Sequence, residues 1–366
     1  MIQSVENIST KFNYPKFNKK FDVLNLHKAT VLKKTTIAIL KYHCVKDGRL
    51  YSTNLSQSIS SATTLEDGMY SFVGKNLLRN YLHEIKDFPY IFSEIVGEKI
   101  AEFEFQNAPA LFNSALVNCD MNKDELRSYL ETVCFDFENI TLCLVATNGH
   151  LLRRIDITEK VNLTEEFSGK VIIPREAIKI LLNDNRPEKI RVTYYQNDDK
   201  YFCTIATDDY IITSACFDPA TYPKYLRVIP GKYPKQLRIN RNEILSAITV
   251  LTKLSGKKFK DLVVGISETG SIFCLTDSYA DTPTEYHIQL ETFETEDKEY
   301  INSEHTPIQL IMQFKVEVAD KLLAYQGHYL SDILKTVHSE NVIILYSEDL
   351  CAPTQIIPDN PFLWKH

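Results

Sequence analysis

Thr141-Leu-Cys-Leu-Val-Ala-Thr147, running into Asn148-Gly149-His150-Leu151-Leu152, is the stretch on which the reading of this 366-residue chain turns. Its first seven residues are the apolar and β-branched types that fill strands. The Asn-Gly pair supplies the positive φ that a tight turn between two strands demands. The same device recurs on either side. Residues 37–44 and 50–56 flank Lys46-Asp47-Gly48, and residues 262–267 and 271–275 flank Glu268-Thr269-Gly270. Ahead of each pair lies a strand followed by helical spacing. These are residues 21–26 with a helix from His27, residues 101–105 with a helix over 108–117, and residues 236–239 with a helix over 242–254.

A second strand-helix step also occurs three times. Residues 68–73 precede a helix over 75–85, residues 169–174 precede one over 175–182, and residues 321–325 precede one over 328–337. The chain therefore reads as an N-terminal extension, residues 1–20, and three α+β units over 21–100, 101–230 and 231–366. Each unit is expected to pack two helices on antiparallel sheets. The units are unequal. After the helix at 175–182 come three more strands, near 189–195, 201–206 and 210–216, whereas only residues 86–97 follow the corresponding step of the first unit. The first unit is thus expected to lack about two edge strands. The third carries an acidic insertion near 291–315.

Composition excludes several classes. With 44% hydrophobic and 24% charged residues the chain is no disordered or collagen-like protein, and its net charge of −7 argues against a nonspecific nucleic-acid coat. Eleven glycines, never clustered, leave no phosphate cradle. Eight cysteines without a C-x-x-C pair read as buried thiols in a reducing compartment rather than zinc ligands, so no metal or cofactor is expected. The longest apolar runs are too short to span a bilayer and no signal peptide is evident, giving a cytosolic expectation. His150 invites a catalytic reading, but no motif supplies it with a nucleophile or acid partner. Leu254-Ser-Gly-Lys-Lys258 is only part of a phosphate loop.

Several ordered segments resemble the bacterial DNA polymerase III β sliding clamp. Leu144-Val-Ala-Thr-Asn-Gly-His-Leu-Leu152 is similar to that family's V-A-T-D-G-H-R-L segment. Val171-Ile-Ile-Pro-Arg175, Tyr222-Pro-Lys-Tyr-Leu-Arg-Val-Ile-Pro230, Leu254-Ser-Gly-Lys-Lys-Phe259 and Tyr329-Leu-Ser-Asp-Ile-Leu334 follow in order. The resemblance implies three clamp domains per chain and a homodimeric ring with helices facing its hole. Such a ring holds a replicative polymerase on double-stranded DNA without chemistry of its own. The inner surface it implies includes Lys34, Lys123, Arg127, Tyr129, Arg175, Lys257, Lys258 and Lys260, attracting phosphates without reading sequence.

A second implied surface is a groove between the second and third units. There, short peptides of polymerase and clamp loader dock on Leu130, Thr147, Gly149, His150, Leu152, Pro223, Arg227 and Val228. Leu363 and Trp364 stand where the family's C-terminal tail closes that groove. Leu151 replaces the family's Arg, and the tail is different. The short first unit admits three alternatives: a ring interface rebuilt around the insertion, a weakened closure leaving a monomer or loose dimer, or a clamp-fold adaptor that binds peptides without encircling DNA.

Overall fold

The computed structural model describes residues 23–359 except 32–34, 75, 90–96, 107, 117–126, 138–141, 164–165, 185–188, 257–261, 268, 276–286, 291–292, 297–298, 302–307, 313–321, 338 and 348–351. The first stretch holds α1 (Val23–Thr30), β1 (His43–Lys46), β2 (Arg49–Thr53), β3 (Gln57–Ala62), β4 (Gly68–Val73) and β5 (Asn76–Asn80). Next come β6 (Glu98–Gln106), α2 (Ala108–Leu116), β7 (Thr132–Asp136), β8 (Cys143–Thr147), β9 (Leu151–Asp156), β10 (Val161–Leu163), β11 (Lys170–Pro174), α3 (Arg175–Leu182), β12 (Lys189–Asn197), β13 (Lys200–Ala206) and β14 (Tyr210–Cys216).

The third stretch begins with β15 (Lys232–Tyr233), β16 (Lys235–Asn240), α4 (Arg241–Ser255), β17 (Val263–Ser267), β18 (Ser271–Leu275) and β19 (His287–Gln289). It continues through β20 (Phe293–Glu296), β21 (Tyr300–Ile301), β22 (Ile308–Met312), β23 (Leu322–Gln326), α5 (Gly327–Thr336), β24 (Asn341–Tyr346) and β25 (Thr354–Pro358). The class is α+β, as the sequence indicates.

Two large antiparallel sheets stitch the stretches together. The ten-stranded sheet runs β10-β6-β12-β13-β14-β3-β2-β1-β4-β5, and its joint is β14 against β3. The nine-stranded sheet runs β11-β7-β8-β9-β22-β25-β24-β16-β20, joined where β9 meets β22. A four-stranded sheet, β19-β18-β17-β23, completes the third stretch, and β15 pairs with β21. Among the described residues the middle stretch thus feeds two sheets and the third feeds three, while the first feeds one.

The main core is continuous from Leu26 to Ile356 and is densest at Phe103, Phe105, Phe112 and Phe135, whose rings pack 5.2–5.9 Å apart. Helices α1, α2 and α3 border one open cleft of about 440 Å3, lined by Ala29, Asn113, Leu116 and Lys179 among others, so the three lie on a common side of the ten-stranded sheet. No described helix is long and apolar enough to cross a membrane, which says nothing of strand-built barrels.

Three sequence expectations are corrected. Residues 23–26 are helix, not strand. Leu24 and Leu26 mimic a period of two, but the buried set Leu26, His27 and Thr30 has helical spacing. Ala38–Lys41 forms a 3-10 turn, so the strand begins only at His43.

The helix expected over 75–85 is replaced by β5, which hairpins back onto β4 through Gly74 at φ +64°. Among the described residues the first stretch therefore has one α-helix, not two. Residues 293–296 and 308–312 lie within the segment expected as an acidic insertion. They supply β20, an edge strand on β16, and β22, the strand that joins the middle stretch to the third.

Candidate functional site

The β8–β9 turn is built by its own side chains. Asn148 Oδ1 accepts from the His150 and Leu151 backbone N–H groups at 3.0 and 2.8 Å, an Asx turn. Thr147 Oγ1 donates to the Leu151 carbonyl at 2.6 Å and accepts from the Gly149 N–H at 3.1 Å. Gly149 sits at φ +86°, and a Cβ placed there would lie 3.2 Å from Arg127 Nη1. The positive φ favours glycine at that position, and an added Cβ would also require the Arg127 guanidinium to give way.

Beneath the turn lies an apolar cluster separate from the main core. Cys134, Cys143, Val145, Leu152 and Ile172 form its floor, and Tyr222 and Tyr225 form its wall. Tyr222 Oη donates to the Val145 carbonyl at 3.2 Å, and Tyr225 Oη donates to Asp136 Oδ2 at 2.8 Å. Burial pushes the Tyr225 phenol well above its ordinary range, and the Asp136 carboxylate adds to the effect. Asp136 itself is buried, with Lys170 Nζ at 3.8 Å.

Half-buried Tyr129, Phe217 and Ile229 pack around this cluster, Tyr129 meeting the Tyr222 ring edge-on at 6.3 Å. Leu226 and Val228, on the 3-10 turn Tyr225–Val228, leave 51% and 44% of their surface exposed. The cluster is thus closed over by its own rings, with Leu226 and Val228 as exposed apolar side chains beside it.

Helix α5 of the third stretch closes one side. The Tyr329 ring stacks on His150 with centroids 5.8 Å apart and 27° between planes, and His328 lies 3.9 Å from Tyr329. At the other end of α5, the buried Arg153 of β9 donates to Thr336 Oγ1. Burial lowers that guanidinium to about 9. Both ends of α5 are thus tied to the β8–β9 hairpin.

Of the expected groove residues, Thr147, Gly149, His150 and Leu152 meet at this hairpin, and Leu130 is fully buried in the 3-10 turn Ser128–Glu131. Pro223 is half-buried, its carbonyl accepting from the Tyr225 N–H at 2.8 Å, while Arg227 and Val228 are exposed. Leu363 and Trp364 lie outside the described residues, as do Lys34, Lys123, Lys257, Lys258 and Lys260. Arg175, half-buried, opens α3, and the following Glu176 pairs with Lys179 at 2.7 Å.

Arg127, grouped by sequence with the DNA-facing set, lies beside Gly149, and Tyr129 of the same set meets Tyr222. Sequence reasoning passed over Tyr222, Tyr225 and Tyr329 as rings packed against this hairpin. The spacing Tyr222-Pro-Lys-Tyr225 was the available signal, since a proline between two aromatics marks a turn that presents both rings to one neighbour.

Comparison with known proteins places this geometry. A scan of protein-family profiles finds no match. The β sliding clamp of Rickettsia felis is 27% identical over 247 residues, 65% of this chain and 58% of that protein. That of Vibrio cholerae is 24% identical over 233 residues, 62% and 54% of the two chains. The matched stretch spans little more than half the length of these curated relatives.

Among solved structures, the C. crescentus β sliding clamp superposes with a TM-score of 0.67 at 16% identity, covering 93% of this chain and 94% of its own. The fold is that of the β sliding clamp. The DNA polymerase III β subunit of Thermotoga maritima agrees, with a TM-score of 0.63 at 17% identity and 92% coverage of both chains. The chain resembles these clamps in sequence over part of its length and shares their fold over more than nine-tenths of it.

Proposed function

We propose that this chain is a non-catalytic DNA sliding clamp that encircles duplex DNA and docks partner peptides at the β8–β9 groove. The observation that carries the reading is the clamp fold over more than nine-tenths of the chain, combined with the apolar cluster beneath the β8–β9 turn and the exposed Leu226 and Val228 beside it. Charge supports it. The described helices carry six basic residues (Lys28, Arg175, Lys179, Arg241, Lys253, Lys335) against three acidic (Glu176, Glu243, Asp332), whereas the whole chain is at −7. A surplus of basic over acidic residues on the helices of an acidic protein suits sequence-independent, salt-sensitive attraction to phosphates. In this reading the units divide near residues 100 and 230. Arg175 and the lysines at 34, 123, 257, 258 and 260 face DNA, and a replicative polymerase and its loader supply the peptides.

Ring closure in a second copy would fall to β5. It is the terminal strand of the ten-stranded sheet, and Val73, Leu78, Tyr81 and Leu82 beside it are exposed, Tyr81 and Leu82 by 85% and 78%. Bare apolar edges of this kind are ordinarily covered. The competing reading, a peptide-binding adaptor that does not encircle DNA, draws on the single sheet and single described helix of the first stretch.

Retention on circular duplex separates the two. A clamp stays with a nicked plasmid through gel filtration and leaves when the plasmid is linearised, and its native mass is near twice 42.2 kDa. Indifference to linearisation in a monomeric protein supports the adaptor. Leu152→Ala is expected to weaken a clamp-type peptide by about 1–3 kcal/mol, and wild-type affinity would remove the groove assignment.

A further inference from the structure

The open cleft between α1, α2 and α3 shares no lining residue with the β8–β9 hairpin. Its volume of about 440 Å3 falls in the range of small-molecule sites, about 300–1,000 Å3. Carboxamides dominate its polar lining: Asn54 and Gln57 of the β2–β3 turn, Asn113 of α2, and Asn183 at the end of α3. Leu116, Ile180 and Leu182 add apolar surface.

The β2–β3 turn is a fixed wall. Asn54 Oδ1 accepts from the Ser56 and Gln57 N–H groups at 3.0 and 2.7 Å, and the Asn54 amide donates to Gln57 Oε1 at 3.0 Å. Gln57 Nε2 donates in turn to Ser214 Oγ of β14 at 3.4 Å. Leu55, between them, stands at φ +77°, a left-handed backbone that a bulky side chain seldom adopts. Such strain persists where the surrounding bonds over-determine the turn.

The helical side is uncommitted. Asn113 and Asn183 are exposed, and no hydrogen bond to either carboxamide occurs among the described residues. The charges of the cleft cancel, because Glu176 and Lys179 pair at 2.7 Å and no other ionised side chain lines it.

We propose that this cleft binds a nucleobase, whose donor–acceptor edge meets Asn113 and Asn183 while its ring rests on Leu116, Ile180 and Leu182. A neutral lining offers a phosphate chain no counter-charge, so phosphate attraction does not account for it. A purely apolar ligand would desolvate two amides without pairing them. A planar ring with adjacent donors and acceptors satisfies both surfaces. Carboxamides pair bidentately with adenine through N6 and N7, which makes adenine the expected base. Its source is either a free nucleoside or an unstacked position in a DNA strand, and the recognition chemistry is the same. The inference goes beyond the DNA-encircling reading, for which plasmid retention is an independent readout.

The test is saturation-transfer NMR on the full chain with adenosine, uridine and ribose, followed by titration of the nucleoside ring protons. Adenosine is expected to bind about fivefold tighter than uridine, the low end of what one bidentate pair discriminates, and ribose is expected not to bind. Asn113→Leu and Asn183→Leu, both at exposed positions, should each erase the preference for adenosine and leave the thermal midpoint unchanged.

Displacement of adenosine by single-stranded oligo-deoxyadenosine, and not by oligo-thymidine, supports the proposal with an unstacked DNA base as the source. Displacement by neither supports it with a free nucleoside. No transfer to adenosine, equal affinity for adenosine and uridine, or adenosine binding untouched in both variants overturns it. A chain that fails in this way and still stays on a nicked plasmid loses the cleft assignment alone.

Discussion

The first and middle stretches of the chain share one sheet, yet they solve the burial problem differently. The middle stretch places two helices and two sheets around a core of four close-packed phenylalanine rings. The first has a single described helix on a single sheet, and beneath that helix lies a polar network. His27 meets Ser52 at 2.7 Å and Ser61 at 2.9 Å, and His43 meets the same Ser52 at 2.5 Å. With half the layers, less apolar surface is removed from water, and what remains, at Leu78, Tyr81 and Leu82, faces outward. The lesson is that a repeat can lose a layer and remain attached, provided a strand joint such as β14–β3 carries it.

The largest expected contrast is in core deletions. Phe135→Ala in the middle stretch is expected to cost about 3–5 kcal/mol in urea unfolding, because a ring touching three others leaves a cavity that cannot collapse. Leu82→Ala, at the exposed edge, should stay within about 0.5 kcal/mol. Similar costs for the two would erase the distinction between a complete and a reduced unit.

Acid should then attack the first stretch selectively. Burial holds His27 down to about 3, with the neighbouring His43 adding to it. Burial holds His43 down to about 4, with Lys28 contributing. Unfolded histidine takes up its proton near 6.5, so protons favour the unfolded chain. Stability is therefore full above that pH and falls as pH drops toward the folded values, by about 2 kcal/mol for each histidine between pH 7 and pH 5. Amide exchange at the two pH values should show β1–β3 losing protection before β6–β8. Uniform loss across the ten-stranded sheet would break the comparison.

The smallest contrast compares two glycines. Gly74 of the β4–β5 hairpin and Gly149 of the β8–β9 turn both have left-handed backbone, at φ +64° and +86°. Open space surrounds a Cβ at Gly74, whereas one at Gly149 meets Arg127. Alanine should cost about 1 kcal/mol at Gly74 from backbone strain alone, and measurably more at Gly149, together with lost peptide affinity. Equal costs in thermal unfolding would mean that Arg127 simply swings aside.

Much of the architecture was legible in advance wherever local chemistry and burial agree. The turns at Asp47-Gly48, Asn148-Gly149 and Thr269-Gly270 were readable because positive φ is demanded within a few residues. Helices α3, α4 and α5 were readable because their buried positions recur at helical spacing. The groove hairpin followed from the same signals, which is why Thr147, Gly149, His150 and Leu152 assemble there. Residues 75–85 were not legible, since Asn-Leu-Leu-Arg-Asn suits a helix and only pairing with β4 makes it a strand.

By itself, then, the sequence determined the three-unit α+β organisation, the turns and the family resemblance, all of which depend on interactions within about a dozen residues or on repetition of such a set. Tertiary structure alone decided that the segment read as an acidic insertion supplies β22 between β9 and β25. It also brought Tyr329 onto His150 and Arg153 onto Thr336, and left the first stretch with one sheet. Partners separated by 150 residues or more are chosen by which edges and faces remain unsatisfied after local structure has formed, and no periodicity in one chain records that choice.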